Sequence, residues 1–236
     1  MTSLPSSGLP SPGTVLVTGG ASGLGAATAR AVTAAGGRAL VLDRVAPAYD
    51  VEHVVADLTD ARGAEAAVRE VVERAGGLDA VVTAAGTDAC GTLSDVPAED
   101  WERVIAVNLV GTAAVVRAAL PALTASRGTV VTVASTLALR ALSDATAYCA
   151  SKFGVLGFTR ALAAELRGRV GVTCLVPGGM ETAFFDGRPE QYKPGPDAKL
   201  NDPATVAQTI LWALAQPAGS EVRELVVAAS EEPSWP

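Results

Sequence analysis

Short runs of β-branched and aliphatic residues alternate with longer alanine-rich segments from Gly13 to the C-terminal region, and this rhythm admits few architectures. The runs Val15-Leu16-Val17, Ala39 to Leu42, Val54-Val55, Ala80 to Val82, Val130 to Val133, Val172 to Val176 and Leu225 to Val227 read as strands. None alternates polar with apolar residues, so each is expected to be buried on both faces. Between them, Ala26 to Ala35, Ala61 to Ala75, Glu99 to Ala125, Ala147 to Leu166 and Ala204 to Ala215 read as helices. Strands that alternate with helices pair in parallel through right-handed crossovers. The expected fold is therefore α/β: a doubly wound, three-layer domain whose mainly parallel, seven-stranded sheet carries helices on both faces. In such a sheet, ligands collect at the carboxyl ends of the strands.

With 236 residues the chain can build one large core, and a single domain is expected over residues 13–228. Residues 1–12, rich in Ser, Pro and Gly, read as a flexible tail, and residues 229–236 as a C-terminal one. The stretch 179–203 breaks the rhythm with Gly, Pro and the aromatic residues Phe184, Phe185 and Tyr192, and reads as a substrate lid.

Charge narrows the partners. Eighteen basic against 25 acidic residues leave a net charge of −7 and a pI near 4.8, which offers nothing to phosphate backbones or anionic lipid. No nucleic acid and no membrane are expected as partners; a small molecule is. Cys90, Cys149 and Cys174 are odd in number and widely spaced, which argues for a reducing compartment rather than a disulfide framework. His53 is the only histidine, so no metal site is expected. The N-terminus does not resemble a secretory signal, and uncharged stretches are broken well short of the ~20 residues a membrane span needs. A cytoplasmic location is expected.

Directly after the first strand comes Thr18-Gly19-Gly20-Ala21-Ser22-Gly23-Leu24-Gly25, followed by an alanine-rich helix. A pyrophosphate needs free backbone N–H groups and a positive helix end, and glycines let it come close. The spacing also suits a simple tight turn. Asp43 ends the second strand eighteen positions beyond Gly25, close to where an acid accepts ribose hydroxyls. A carboxylate there repels a 2′-phosphate and favours NAD over NADP, although Arg44 beside it could pair with such a phosphate or stack on adenine.

Tyr148 and Lys152 stand four residues apart on one expected helix and so share a face. A free phenol has a pKa of ~10, and a nearby ammonium favours its ionised form, which would bring it toward useful acid/base range. Ser135 ends the fifth strand, at the edge where ligands bind, and could orient a carbonyl or serve as a turn cap. Asn108 lies inside the long helix between Val107 and Leu109 and must either bond locally or hold a water chain.

Together these features resemble the classical short-chain dehydrogenases/reductases, from about Gly13 to Val227, which carry a Rossmann fold. The matching residues are Thr18-Gly19-x3-Gly23-x-Gly25, Asp57-Leu58 after the third strand, Asn108, Ser135, Tyr148-x3-Lys152 and Pro177-Gly178-x3-Thr182. The resemblance implies an oxidoreductase that interconverts a secondary alcohol and a ketone by direct hydride transfer. It implies Tyr148 as general acid/base and Ser135 holding the substrate oxygen. It also implies Lys152 on the nicotinamide ribose and tuning Tyr148, and Asn108 holding a relay water. Cofactor contacts are expected from Gly19, Ser22, Gly23, Leu24, Gly25, Asp43, Arg44, Asp57, Leu58, Ala85, Gly86, Tyr148, Lys152, Pro177, Gly178, Met180 and Thr182. NAD is the expected cofactor, an NADP-dependent ketoreductase the alternative. A non-catalytic dinucleotide-binding regulator would not need all four catalytic side chains.

Two departures stand out. The family's Asn-Asn-Ala-Gly after the fourth strand is here Thr83-Ala84-Ala85-Gly86, which forfeits amide hydrogen bonds. The chain also ends atypically, in Pro233-Ser234-Trp235-Pro236, so that the expected homo-oligomer could be a dimer or a tetramer, with Trp235 docking on a neighbouring subunit.

Overall fold

The computed structural model describes residues 10–217 and 219–232. The first half of the chain runs β1 (Thr14–Thr18), α1 (Gly23–Ala34), β2 (Arg38–Asp43), β3 (Glu52–Val55), α2 (Ala61–Ala75), β4 (Ala80–Thr83), α3 (Ala98–Ile105) and α4 (Thr112–Ser126). The second half runs β5 (Thr129–Val133), α5 (Thr146–Glu165), β6 (Gly171–Pro177), α6 (Pro203–Leu214) and β7 (Glu224–Val227). The seven strands form one sheet in the order β3-β2-β1-β4-β5-β6-β7, and every neighbouring pair is parallel. The winding reverses between β1 and β4, which opens a crevice at their carboxyl ends.

The uninterrupted apolar strands have a simple cause. Leu16, Leu40, Val81 and Val130 face one way, into a core completed by Val68 of α2, Val115 and Leu123 of α4 and Leu162 of α5. Val15, Val41, Val82 and Val131 face the other way, against Val32 of α1 and Ile210 of α6. The outermost strands correct the expectation of two-sided burial. Glu52, His53 and Val55 of β3 are exposed, and Val226 of β7 is exposed too, because an edge strand has a neighbour on one side only.

α2 occupies the expected residues because Asp60 accepts from the N–H groups of Arg62 and Gly63, and Gly76, at φ +77°, turns the chain out of the helix. α1 begins at Gly23, not Ala26, so the glycine turn is itself the first helical turn. The helix expected over Glu99 to Ala125 runs from Ala98 to Ser126, but Ala106–Gly111 form a π-helical turn that resets its phase. By length and composition alone these 29 residues could cross a bilayer. Their buried side chains, Val115 and Leu123 among them, instead cover the sheet.

The lid stretch is ordered. A bridge between Met180 and Asn201 closes its base, and it contains single 3-10 turns at Ala183–Phe185 and Glu190–Tyr192. The end of the N-terminal tail is anchored as well, Ser11 Oγ donating to the Gly36 carbonyl at 3.0 Å. Trp235 lies outside the described residues.

Candidate active site

At the carboxyl end of β1 the chain turns through Gly19 at φ +70°. A Cβ there would stand 2.7 Å from the Ala85 Cα, so glycine is what lets the turn touch the loop after β4, where the Ala85 N–H donates to Thr18 Oγ1. Gly25 presses on the Gly19 carbonyl, and Gly23 faces Thr182 across the crevice, its added Cβ 3.4 Å from the threonine methyl. Ser22 is the N-cap residue of α1, yet its side chain caps nothing. Among the described residues, the first-turn amides at Gly23, Leu24 and Gly25 therefore have no side-chain partner at a positive helix end, an arrangement that fits an anionic pyrophosphate. The Leu24 side chain is buried in the core, so only its backbone can serve a ligand.

The adenine end is more mixed. Asp43 accepts from the N–H groups of Ala21 (3.0 Å) and Val45 (3.2 Å), which ties β2 to the glycine turn. Arg44 is exposed, and its charge reaches Asp57. The N–H and hydroxyl of Thr59 both donate to Asp57 and hold its carboxyl below the usual range, Arg44 adding to the effect. The Leu58 side chain is buried against Gly111 of the π-helical turn, which leaves its backbone for a ligand. Tyr49, which the sequence did not single out, donates to the Gly20 carbonyl at 2.7 Å while Arg30 stacks on its ring.

At the other end of the crevice, Pro177 closes β6 and the Gly178 N–H donates to Val227. Glu232 of the C-terminal tail lies against Gly178 and accepts from the Gly179 N–H at 3.0 Å. Met180 is engaged in the bridge to Asn201, and Thr182 Oγ1 accepts from Phe184 N–H.

The four expected catalytic residues converge. Ser135 hydrogen-bonds to the Tyr148 phenol, and its Oγ also accepts from Leu137 N–H at 3.1 Å, so it is turn cap and phenol partner at once. Lys152, 4% exposed, donates to the Val133 carbonyl at 2.9 Å and sits 5.6 Å from the Tyr148 ring centre. Asn108 is buried in the π-helical turn; its Oδ1 accepts from Thr87 N–H, and its Nδ2 donates to the Thr87 carbonyl and Ser151 Oγ. Both amide hydrogens are thus used locally, and one lone pair of Oδ1 remains. A Cβ on Gly86 would lie 3.5 Å from Asn108 Oδ1 and 3.6 Å from Lys152 Nζ, so this glycine keeps the space between them open.

One expectation reverses. Burial, the dominant influence, pushes the Tyr148 phenol up to about 12, against the Ser135 hydrogen bond that lowers it, and burial pulls the Lys152 ammonium down to about 8. Desolvation is the largest influence on the phenol and Lys152 is not among the groups that shift it, so the phenol is not drawn into neutral range. At neutral pH Tyr148 is a protonated donor, suited to an oxygen that gains negative charge. Thr83, in place of the family's Asn, leaves a buried hydroxyl without a partner among the described residues, which is the local cost of that departure.

The lid brings Phe184 to 5.7 Å from the Tyr148 ring. The pocket wall is more polar than Leu137, Leu139, Met180, Phe184, Phe185 and Tyr192 suggested, because Arg188 pairs with Asp88 at 2.9 Å and Tyr192 donates to Asp144. Asp88 and Arg188 are a hundred residues apart, so no local motif announced them. Among the described residues no cluster of His, Cys, Asp or Glu could hold a metal ion.

The sequence matches the short chain dehydrogenase family over residues 13–193. It is 34% identical over 232 residues to a 3-alpha-(or 20-beta)-hydroxysteroid dehydrogenase of Mycobacterium tuberculosis, covering 93% of this chain and 83% of that one. Its fold superposes on an alcohol dehydrogenase of Thermococcus sibiricus, solved with 5-hydroxy-NADP, with a TM-score of 0.80 at 25% identity over 91% of this chain and 95% of that one. It also superposes on a ligand-free aldohexose dehydrogenase of Thermoplasma acidophilum with a TM-score of 0.84 at 23% identity, over 94% and 95% of the two chains.

Proposed function

The chain belongs to the short-chain dehydrogenase family, and from that premise we propose that it is an NAD(H)-dependent oxidoreductase interconverting a secondary alcohol and a ketone, with Tyr148 as general acid/base. The observation that carries this reading is the meeting of Tyr148 with Ser135 and Lys152 at the carboxyl edge of the sheet, beside an uncapped glycine turn.

When bound, the dinucleotide supplies or accepts the hydride. Gly19, Ser22, Gly23, Leu24 and Gly25 would hold its pyrophosphate through backbone N–H groups. Asp43 would take the adenosine ribose hydroxyls, with Arg44, Asp57 and the Leu58 backbone around the adenine. Ala85 and Gly86 would floor the crevice; Pro177, Gly178, Met180 and Thr182 would border the nicotinamide end, and Lys152 the ribose there. In reduction, Ser135 orients the carbonyl oxygen and Tyr148 gives it a proton; in oxidation Tyr148 takes that proton back. Asn108 acts by position: it fixes the loop at Thr87 and offers its remaining lone pair to a relay water beside Lys152. Residues 13–228 would act as one catalytic domain with 179–203 as its lid.

Asp43 supports NAD, since its carboxylate would oppose a 2′-phosphate. The second reading is NADP(H), supported by exposed Arg44 and by the neighbour solved with 5-hydroxy-NADP. Whichever dinucleotide binds the folded form more tightly raises the melting temperature more. A larger shift with NAD is expected; a larger shift with NADP reverses the assignment. Oxidation of reduced dinucleotide that depends on added ketone, and is lost in Tyr148→Phe, tests the reaction itself. We also propose a homo-oligomer, dimer or tetramer, since Phe153 and Trp212 are 45% and 46% exposed. Three unpaired thiols favour the cytoplasm.

A further inference from the structure

Arg188 stands in the lid with features that a simple surface ion pair does not need. Its side chain is 16% exposed and that of Asp88 only 9%. Its Nη2 donates to Asp88 Oδ2 at 2.9 Å and its Nη1 to the Tyr192 carbonyl at 3.4 Å. The guanidinium carbon lies 4.8 Å from the Phe184 ring centre and 4.7 Å from that of Phe185. A planar cation held this way has already lost the rotamer freedom that binding would otherwise cost. Asp88 is fixed in turn: its carboxylate also accepts from Ala89 N–H and from the Cys90 thiol.

One donor is left over. The buried Nε–H of Arg188 has no partner among the described residues. A guanidinium cannot shed a proton to relieve this, so the group stays a donor at every working pH. An unmet buried donor is unfavourable and marks a place where an acceptor belongs. The place is next to the chemistry: Phe184 stands between the guanidinium and the Tyr148 ring, 5.7 Å from the latter, and the charges of both Asp88 and Arg188 reach the phenol. A substrate lying across Phe184 with its reacting oxygen on Tyr148 would bring a second oxygen, two carbons from the reacting one, toward Arg188.

We infer that Arg188 is a specificity-determining residue that receives a second oxygen acceptor carried two carbons from the reacting carbon, as in a 3-oxo-acid or 3-hydroxy-acid or its ester. This rests on the oxidoreductase reading above and adds the substrate class to it. Asp88 is a positioning residue: it holds Arg188 and, because it leaves the pair neutral overall, allows an ester or an acid in the same place.

Three reductions separate the possibilities: 3-oxobutanoate, its ethyl ester, and 2-pentanone, which has no second oxygen. The wild type is expected to favour the first two over 2-pentanone in kcat/KM by about 10- to 100-fold, the range of one hydrogen bond to a charged group. In Arg188→Met paired with Asp88→Asn, which avoids stranding a buried carboxylate, that preference should fall to within about threefold, mainly through KM. Arg188→Lys keeps the charge without the Nε–H and should recover less than half of the lost preference on a logarithmic scale. The ratio of acid to ester in the wild type says which source of the acceptor is preferred. Equal losses on all three substrates, or a wild type as active on 2-pentanone as on the others, would overturn the inference. No turnover of any of the three with dinucleotide bound would overturn the substrate class; failure to bind either dinucleotide would overturn the oxidoreductase reading beneath it.

Discussion

The two ends of the crevice are built from different materials. The dinucleotide end is made of backbone: Gly19 and Gly25 in van der Waals contact with their neighbours, the uncapped start of α1, and Asp43 tying the turn to β2. The carbonyl end is made of side chains from four separated stretches, with Ser135 after β5, Tyr148 and Lys152 on α5, Asp88 after β4, and Phe184 with Arg188 in the lid. A backbone site depends on where glycine stands and tolerates changes elsewhere. A side-chain site depends on the fold to bring distant groups together, and can be altered one atom at a time.

Substitutions should separate the two ends. Tyr148→Phe removes the only proposed proton donor while keeping the ring that Phe184 and Lys152 touch. Carbonyl reduction should fall about 10³-fold or more, with dinucleotide Kd changed less than about threefold, in initial-rate and titration measurements. Gly19→Val should do the reverse of that selectivity. A β-branched residue at φ +70°, aimed at Ala85, costs about 1–3 kcal/mol of backbone strain plus the clash, and dinucleotide binding should weaken at least about tenfold by titration.

The pH dependence of stability tests the burial of the catalytic pair. Lys152 is held at about 8 in the fold against 10.5 when unfolded, so between those values the unfolded chain carries more protons and stability rises with pH. Tyr148, raised from 10.0 to about 12, contributes stability that is present below pH 10 and lost above it. Denaturant unfolding should therefore show the wild type gaining on Lys152→Met from pH 8 to 10, by up to about 1.4 kcal/mol per pH unit. A difference independent of pH would mean that the ammonium is well solvated. The smallest effect belongs to support rather than chemistry. Thr83→Val removes the unpartnered buried hydroxyl at nearly constant shape, and should raise stability by about 1 kcal/mol without changing turnover.

The same contrast explains what the sequence revealed. The strands and their order of appearance were legible because each is sandwiched between two helical layers, as at Leu16 and Val17, and so must be apolar throughout. β3 and β7 broke that reasoning because edge position is a property of the sheet, not of the strand. The glycine turn was legible since φ +70° and contact with Ala85 demand glycine at one residue. The π-helical turn at Asn108 was not: Ala106 to Gly111 are ordinary helix residues, and only the fold shows that Gly111 packs closely on Leu58. Tyr148 with Lys152 announced itself by helical spacing, whereas Arg188 and Asp88 meet only because the lid folds back. The direction of the Tyr148 shift escaped for a related reason, because desolvation depends on the fold around the phenol rather than on the lysine one turn away.

The central claim is that one half-buried phenol gives the proton while the dinucleotide gives the hydride. Dinucleotide carrying deuterium at its transferring carbon, mixed with a ketone in a single turnover, tests it directly. Wild-type protein should place deuterium on the carbinol carbon of the product, and Tyr148→Phe should bind the same dinucleotide with nearly unchanged Kd yet transfer almost none. Deuterium transfer at the wild-type rate by the phenylalanine variant would contradict the account.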